Sequence, residues 1–125
     1  MEILTKSKEI YLNLPQSKDE VFAFPINHDA LEEHAVIERL VRPWVAKKIK
    51  EYLGVEEEAM IRLVLNHVTN RLSAGALLDK VAPILDDVAE NFVLKLWQVI
   101  LFEQLKISGG VYHLQDQLKK YAPAL

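Results

Sequence analysis

The residues best able to do chemistry are concentrated in residues 39–54, RLVRPWVAKKIKEYLG. Five cations stand there against Glu51, a balance of +4 in a chain whose net charge is −3. The cations are Arg39, Arg42, Lys47, Lys48 and Lys50. Clustered lysine and arginine side chains can bind the phosphates of a polyanion, although solvated helix faces also carry lysines without any ligand.

The flanking sequence is acidic. Residues 1–38 hold three lysines against eight carboxylates, a balance of −5, and residues 55–125 hold seven cations against nine carboxylates, a balance of −2. The net charge argues against strong nucleic-acid binding, whereas the local cluster favours a phosphate-contacting surface. Two hypotheses stay open: weak contacts to nucleic acid, or a surface that docks onto another protein.

The sequence contains no recognisable catalytic or metal-binding motif. The four histidines are His28, His34, His67 and His113. They form neither an HExxH pair nor another ligand spacing with carboxylates, and the chain has no cysteine and no glycine-rich phosphate loop. Helix capping explains the Asp86–Asp87 pair. We therefore expect no catalytic residues, no metal site and no cofactor, and the chain is not predicted to be an enzyme.

Helices must position the basic segment, because no stretch alternates apolar and polar residues as a half-buried strand would. One helix is predicted over NHDALEEHAVIERLV, capped by Asn27 or Asp29. Arg42 is the expected corner, since the residue before a proline is disfavoured in α conformation. A new helix should then run from Pro43 to about residue 53, with Gly54 as its left-handed cap.

Helical spacing assigns faces to that new helix. Its predicted apolar stripe is Val45, Ile49, Tyr52 and Leu53. Lys47 and Lys50 fall nearly opposite, in solvent, and Lys48 falls on the flank. Trp44 lies off the stripe, so we expect it to pack against the preceding helix or a later one. Pro43 and Trp44 would thus set a corner and fill the core.

The remaining sequence predicts further helices. Residues 1–14 are uncertain and could be extended, and Ser17 should then cap a short helix whose Val21, Phe22 and Phe24 press onto the main body. A long helix is predicted over EEEAMIRLVLNHVTNRL, with an apolar stripe that ends at Leu72. The following helix, AGALLDKVAPIL, should be capped by Ser73 and should end or bend at Pro83.

The last long helix is predicted over VAENFVLKLWQVILFEQLK, opened by a capping box of Asp87 and Glu90. It is apolar almost all round, which predicts a central place in a bundle. No apolar run approaches the roughly 20 residues that a membrane span needs, so we expect no membrane partner.

These motifs resemble a known family. RPWVAKKIKEYLG resembles the opening of the PWI domain, with Pro43-Trp44-Val45 in place of the family's Pro-Trp-Ile. ILDDVAENFVLKLWQVILFE is similar to the family's last helix, and LPQSKDEVFAFPIN resembles the segment before the domain in RNA-binding-motif splicing regulators. The resemblance spans about residues 14–107 and makes Pro43, Trp44 and Val45 a structural signature.

The resemblance implies an all-α fold: a four-helix PWI-type bundle with additional short helices at the N-terminus and, as an open alternative, at the C-terminus. It divides the chain into an N-terminal helical extension packed on the domain (1–38), the PWI domain (39–108) and a C-terminal tail or short helix (109–125).

The resemblance also implies a function. It indicates a non-catalytic module of a nuclear pre-mRNA splicing factor that binds single- or double-stranded nucleic acid, RNA above all. Binding would be weak and non-sequence-specific, through Arg39, Arg42, Lys47, Lys48 and Lys50. The alternative is a protein-interaction module that docks a splicing factor onto the U1 particle or another spliceosomal protein.

Overall fold

The computed structural model describes residues 2–109, and this part of the chain contains helices and no β-strand. The α-helices are α1 (Glu2–Leu12), α2 (Lys18–Ala23), α3 (His28–Glu33), α4 (Arg42–Leu53), α5 (Glu58–Thr69), α6 (Ala74–Leu85) and α7 (Ala89–Ser108). A π-helical turn, Ile37–Val41, precedes α4, and a 3₁₀ turn, Asp86–Val88, precedes α7. The all-α prediction is confirmed. The C-terminal tail or short helix of the prediction falls on residues 110–125, outside the described residues.

Helix α7 lies at the centre of the bundle, as its all-round apolarity predicts. It packs against α1, α2, α3 and α6 and against the π-helical turn. Its most apolar positions are buried: Phe92, Val93, Leu96, Trp97, Ile100 and Leu101. A helix that contacts neighbours on several sides needs apolar residues all round, which explains the sequence pattern.

The stripes predicted for α4 and α5 face the core, with Tyr52 half-buried, but two of their residues at helix ends are exposed. Leu53 is 37% exposed because it stands in the last turn of α4, beyond the buried Ile49. Leu72 is 43% exposed because α5 ends at Thr69 and Arg71 turns left-handed, with φ 60°. The α-helical period therefore no longer applies at Leu72.

Three of the predicted helix caps are present. The side-chain oxygens of Ser17, Asn27 and Ser73 accept hydrogen bonds from the backbone N–H groups three residues later, at 3.3, 3.1 and 3.2 Å. Gly54 ends α4 in the predicted left-handed conformation, with φ 82°. These local signals act within one turn of chain, which is why the sequence alone predicts them.

The predicted capping box of Asp87 and Glu90 is wrong. Helix α7 begins after the 3₁₀ turn and has no side-chain cap. The Ala89 N–H group instead donates to the Asp86 carbonyl. The backbone turn thus already provides a partner at this helix start, so a side-chain cap is not needed. Pro83 stands inside α6, which runs on to Leu85.

The predicted corner at Arg42 is also wrong. Arg42 is α-helical, with φ −56° and ψ −52°, and its N–H group donates to the Ile37 carbonyl in a π-helical pattern. The wider π turn makes room for the ring of Pro43 beside the preceding carbonyls, so the chain passes straight into α4.

The break comes earlier in the chain, at Ala35, which is left-handed with φ 52°. Leu31 and Val36 are both buried, at 1% and 0% exposure. On one continuous helix these side chains would point about 140° apart. The break at Ala35 allows both of them to face the core.

The segment before α3 is anchored to α7. Val21 is fully buried, and Phe22 and Phe24 are half-buried against the core, as predicted. The Gln104 side chain donates to the Pro25 carbonyl at 2.9 Å and accepts from the Asn27 N–H group at 2.7 Å. The oxygen and the nitrogen of this nearly buried amide therefore both have hydrogen-bond partners in the segment before α3. The division of the chain at residue 38 stays a prediction.

Candidate nucleic-acid interface

Arg39 and Arg42 lie at the start of the basic segment. Arg39 is exposed on the π-helical turn. Arg42 makes a bidentate ion pair with Glu38, with Nε 3.0 Å from Oε2 and Nη2 3.3 Å from Oε1. The hydrogen bonds and the opposite charge raise the pKa of Arg42 and lower the pKa of Glu38. Glu38 therefore compensates much of the charge that Arg42 adds to this surface.

Lys47 and Lys50 are exposed on the outer face of α4, as predicted. The opposite face of the helix is buried through Val45 and Ile49, both at 0% exposure. Within residues 7–109 neither lysine belongs to an ion pair. Both ammonium groups can thus meet an anionic ligand without first giving up a carboxylate.

Lys48 lies on the flank of α4, as predicted, and its ammonium group has two neighbours. Nζ is 3.3 Å from Oε2 of Glu51 and 5.8 Å from the centroid of the Trp44 ring. A lysine that is both ion-paired and above an aromatic ring is held toward the side of the helix rather than toward open solvent.

Trp44 packs against a later helix, as predicted, but it does not fill the core. Its ring is half-buried and stacks on Phe92 of α7, with centroids 5.9 Å apart and planes 20° apart. Tyr52 meets the same phenylalanine edge-on at 6.1 Å. Phe92 itself is fully buried, whereas Pro43 is exposed. The core here is therefore supplied by α7, and Trp44 covers it from outside.

The five predicted site residues thus have different surroundings, with Arg39 exposed on the π-helical turn. Two cations, Arg42 and Lys48, are compensated by carboxylates of nearby turns. Lys47 and Lys50 remain together on the outer face. The assignment of the five residues to nucleic-acid binding stays a prediction, and the geometry makes the two outer lysines its best candidates.

A groove that the sequence did not predict is lined in part by Trp44. It encloses about 290 Å³ between α1, α4 and α7 and is lined by Tyr11, Leu14, Trp44, Lys95, Val99 and Phe102, among others. Two of these residues, Tyr11 and Leu14, come from residues 1–14, which carry no clear sequence pattern, and Tyr11 lies on helix α1. Because the sequence did not predict a helix in this segment, it gave no signal that could have pointed to the groove.

Both ring nitrogens of the buried His67 have hydrogen-bond partners within the protein. Its Nε2 lies 2.7 Å from the Ser73 carbonyl oxygen, and its Nδ1 lies 3.0 Å from Nζ of Lys80. Burial lowers the pKa of His67, the bond to Ser73 acts in the opposite direction, and the charge of Lys80 lowers the pKa again. A neutral ring that donates to Ser73 and accepts from Lys80 satisfies both nitrogens and ties α5 to the start of α6.

The part of the chain that the structure describes holds no group of three or more His, Cys, Asp or Glu side chains placed to bind a metal ion. None of its helices is long and apolar enough to cross a membrane.

Comparison with known proteins identifies relatives. The chain is 35% identical over 105 residues to RNA-binding motif protein 25 of Arabidopsis thaliana and 36% identical over 96 residues to RNA-binding protein 25 of Homo sapiens. These alignments cover 84% and 77% of this chain, but 12% and 11% of the relatives. U1 snRNP-associated protein usp107 of Schizosaccharomyces pombe is 26% identical over 87 residues, 70% of this chain and 12% of that protein. The chain therefore spans a small fraction of the length of each of these relatives.

A family model described as the PWI domain matches residues 39–107. The match begins in the π-helical turn, includes the Pro43-Trp44-Val45 signature on α4, and ends in the last turn of α7. It thus contains both helices whose aromatic rings, Trp44 and Phe92, stack on each other. The chain belongs to the PWI domain family.

Proposed function

We propose that this chain is a non-catalytic module of a nuclear pre-mRNA splicing factor and that it binds RNA weakly, without sequence preference. The relatives support the class of protein, since two are named as RNA-binding proteins and one as associated with the U1 snRNP. The observation that carries the binding surface is the outer face of α4, where Lys47 and Lys50 are exposed and make no ion pair within residues 7–109.

The outer face of α4 suits phosphate contacts. Lysines three residues apart on a helix are neighbours, so Lys47 and Lys50 can meet adjacent phosphates of one strand. The buried Val45 and Ile49 hold the helix in place behind them. Phosphate contacts carry no base information, and such contacts form with single- and double-stranded nucleic acid alike.

The ion pairs of the segment explain why the binding should be weak. Arg42 and Lys48 must exchange Glu38 and Glu51 for a phosphate, so their net contribution is small. Arg39 extends the surface from the π-helical turn. The rest of the chain is acidic and repels a polyanion beyond the immediate contact.

The test is a salt titration with a fluorescent RNA oligonucleotide. The triple substitution Lys47→Gln, Lys48→Gln and Lys50→Gln should weaken binding to all RNA sequences alike. It should also flatten the dependence of log affinity on log salt by about 0.7 for each single-strand phosphate that the variant no longer neutralises. As a matched pair of single substitutions, Lys50→Gln should lower the affinity, whereas Arg62→Gln, at an exposed position of α5, should change it little.

The second candidate function is docking of a splicing factor onto the U1 particle or another spliceosomal protein. Two observations favour it: the net charge of −3, and the relative whose name associates it with the U1 snRNP. If the parent protein does not bind RNA at low salt, or the triple variant keeps the same affinity and salt slope, docking becomes the better account of the chain.

A further inference from the structure

The groove between α1, α4 and α7 is separate from the outer face of α4, since neither Lys47 nor Lys50 lines it. Of its lining residues, Leu14 is buried and Tyr11 is 62% exposed. Exposed apolar surface at a concave site is typical of surfaces that bind a partner.

The aromatic rings at the groove are already engaged with their own neighbours. Trp44 is stacked on Phe92 and has the Lys48 ammonium group 5.8 Å from its centroid. Phe102 meets Tyr11 edge-on at 6.2 Å and has the Lys106 ammonium group 5.2 Å from its centroid. A nucleic-acid base would need an open ring face on which to stack. Trp44 and Phe102 therefore each have an aromatic contact and a cation above the ring, which leaves less ring surface for a stacked base.

The charge at the groove is positive. Lys95 is exposed, is the one charged side chain among the described lining residues, and makes no ion pair within residues 7–109. The ammonium groups of Lys48 and Lys106 lie above the rings of Trp44 and Phe102, but each is ion-paired, Lys48 with Glu51 at 3.3 Å and Lys106 with Glu103 at 3.2 Å. Lys95 therefore supplies the uncompensated positive charge. An occupant that carries a carboxylate near its apolar part is complementary to this arrangement.

We propose that the groove binds a peptide segment of a partner protein, with one large apolar side chain as its anchor and an acidic residue facing Lys95. The volume of 290 Å³ is at the lower limit of the roughly 300–1,000 Å³ of ligand pockets, so it takes an anchor side chain and not a whole cofactor. Buried apolar anchors with charged neighbours are a common way to bind peptides. The proposal does not depend on RNA binding by α4.

The experiment uses three small probes with the same indole ring and different charge: N-acetyl-L-tryptophan (anionic), its amide (neutral) and L-tryptophan amide (cationic). Each is titrated into the isotope-labelled protein, and the side-chain N–H signal of Trp44 is followed by NMR. Trp97 is 2% exposed and serves as the internal control. The anionic probe should shift the Trp44 signal and bind about twofold to fivefold more tightly than the cationic probe, the range of one exposed ion pair.

Two variants locate the charge effect. Lys95→Glu should reverse the order of the three probes, whereas Lys47→Glu, on the outer face of α4, should leave the order unchanged. In the double variant Lys47→Gln and Lys50→Gln, RNA affinity should fall while the probe order stays. The failure of one proposal can therefore be distinguished from the failure of the other.

Three results would overturn the groove proposal. The first is an unchanged Trp44 signal with all three probes at millimolar concentration. The second is equal binding of the probes in both the parent and the Lys95→Glu variant. The third is stronger binding of uridine monophosphate than of N-acetyl-L-tryptophan at the same residues, which would make the groove a nucleotide site.

Discussion

The two sides of α4 present different chemistry to solvent. The outer face carries Lys47 and Lys50 with no ion-pair partner within residues 7–109, whereas the groove side carries Trp44, half-buried and stacked on α7. The outer face is made by one helix, and the groove side needs three helices. We therefore expect charge changes on the outer face to cost the fold little, whereas changes at Trp44 should alter both stability and the proposed binding at the groove.

The largest expected effect comes from the groove side. Trp44→Ala should lower the free energy of unfolding by about 2–4 kcal/mol, since it removes a large ring that covers Phe92 but is only half-buried. Trp97→Ala, at a fully buried site, should cost more, and Lys47→Ala should cost little. Urea unfolding measures all three. Equal stability of the Trp44→Ala variant and the parent would mean that the ring contributes nothing to the fold and is free to act as a ligand contact.

A smaller effect tests what anchors the segment before α3 to α7. Gln104→Ala removes two hydrogen bonds to Pro25 and Asn27 and should cost about 1–3 kcal/mol. Gln98→Ala removes the 3.1 Å bond to the Pro15 carbonyl, next to Leu14 of the groove, and should cost about 1 kcal/mol. Proteolysis should then trim the segment before α3 faster than in the parent. Unchanged trimming in both variants would show that apolar contacts alone anchor the segment.

The smallest expected effect concerns pH. The pKa of His67 is lowered from 6.5 by burial, so the folded state favours the neutral ring. The corresponding stability is complete above pH 6.5 and is lost as pH falls through the folded-state pKa. The pKa of half-buried His28 is also lowered, mainly by burial, and acts in the same direction.

The measurement is urea unfolding of the parent and of His67→Gln at about pH 7.5 and about pH 5.5, on either side of the ordinary histidine pKa. The amide can still donate to the Ser73 carbonyl but does not titrate, so the variant should lose less stability on acidification. An equal loss in both proteins would assign the pH dependence to His28 or to the carboxylates. Neither histidine lies on α4, so the comparison separates a change in stability from a change in the proposed RNA surface.

Local signals of the sequence predicted most of the helices. The caps at Ser17 and Ser73 and the left-handed Gly54 each depend on contacts within one turn. The opposite faces of α4 follow from about 100° per residue, and the central place of α7 follows from its all-round apolarity. The same locality explains the missed break at Ala35, which follows from burial of both Leu31 and Val36 in a core built by distant helices.

By itself, then, the sequence determined the helical class, the PWI signature at Pro43-Trp44-Val45 and the solvent position of Lys47 and Lys50. Only the tertiary structure decided which cations are compensated, what Trp44 stacks on and that a groove exists beside it. Helical periodicity says which side chains share a face of one element. It does not say which distant element meets that face, because that choice depends on how all the helices bury their apolar surface together.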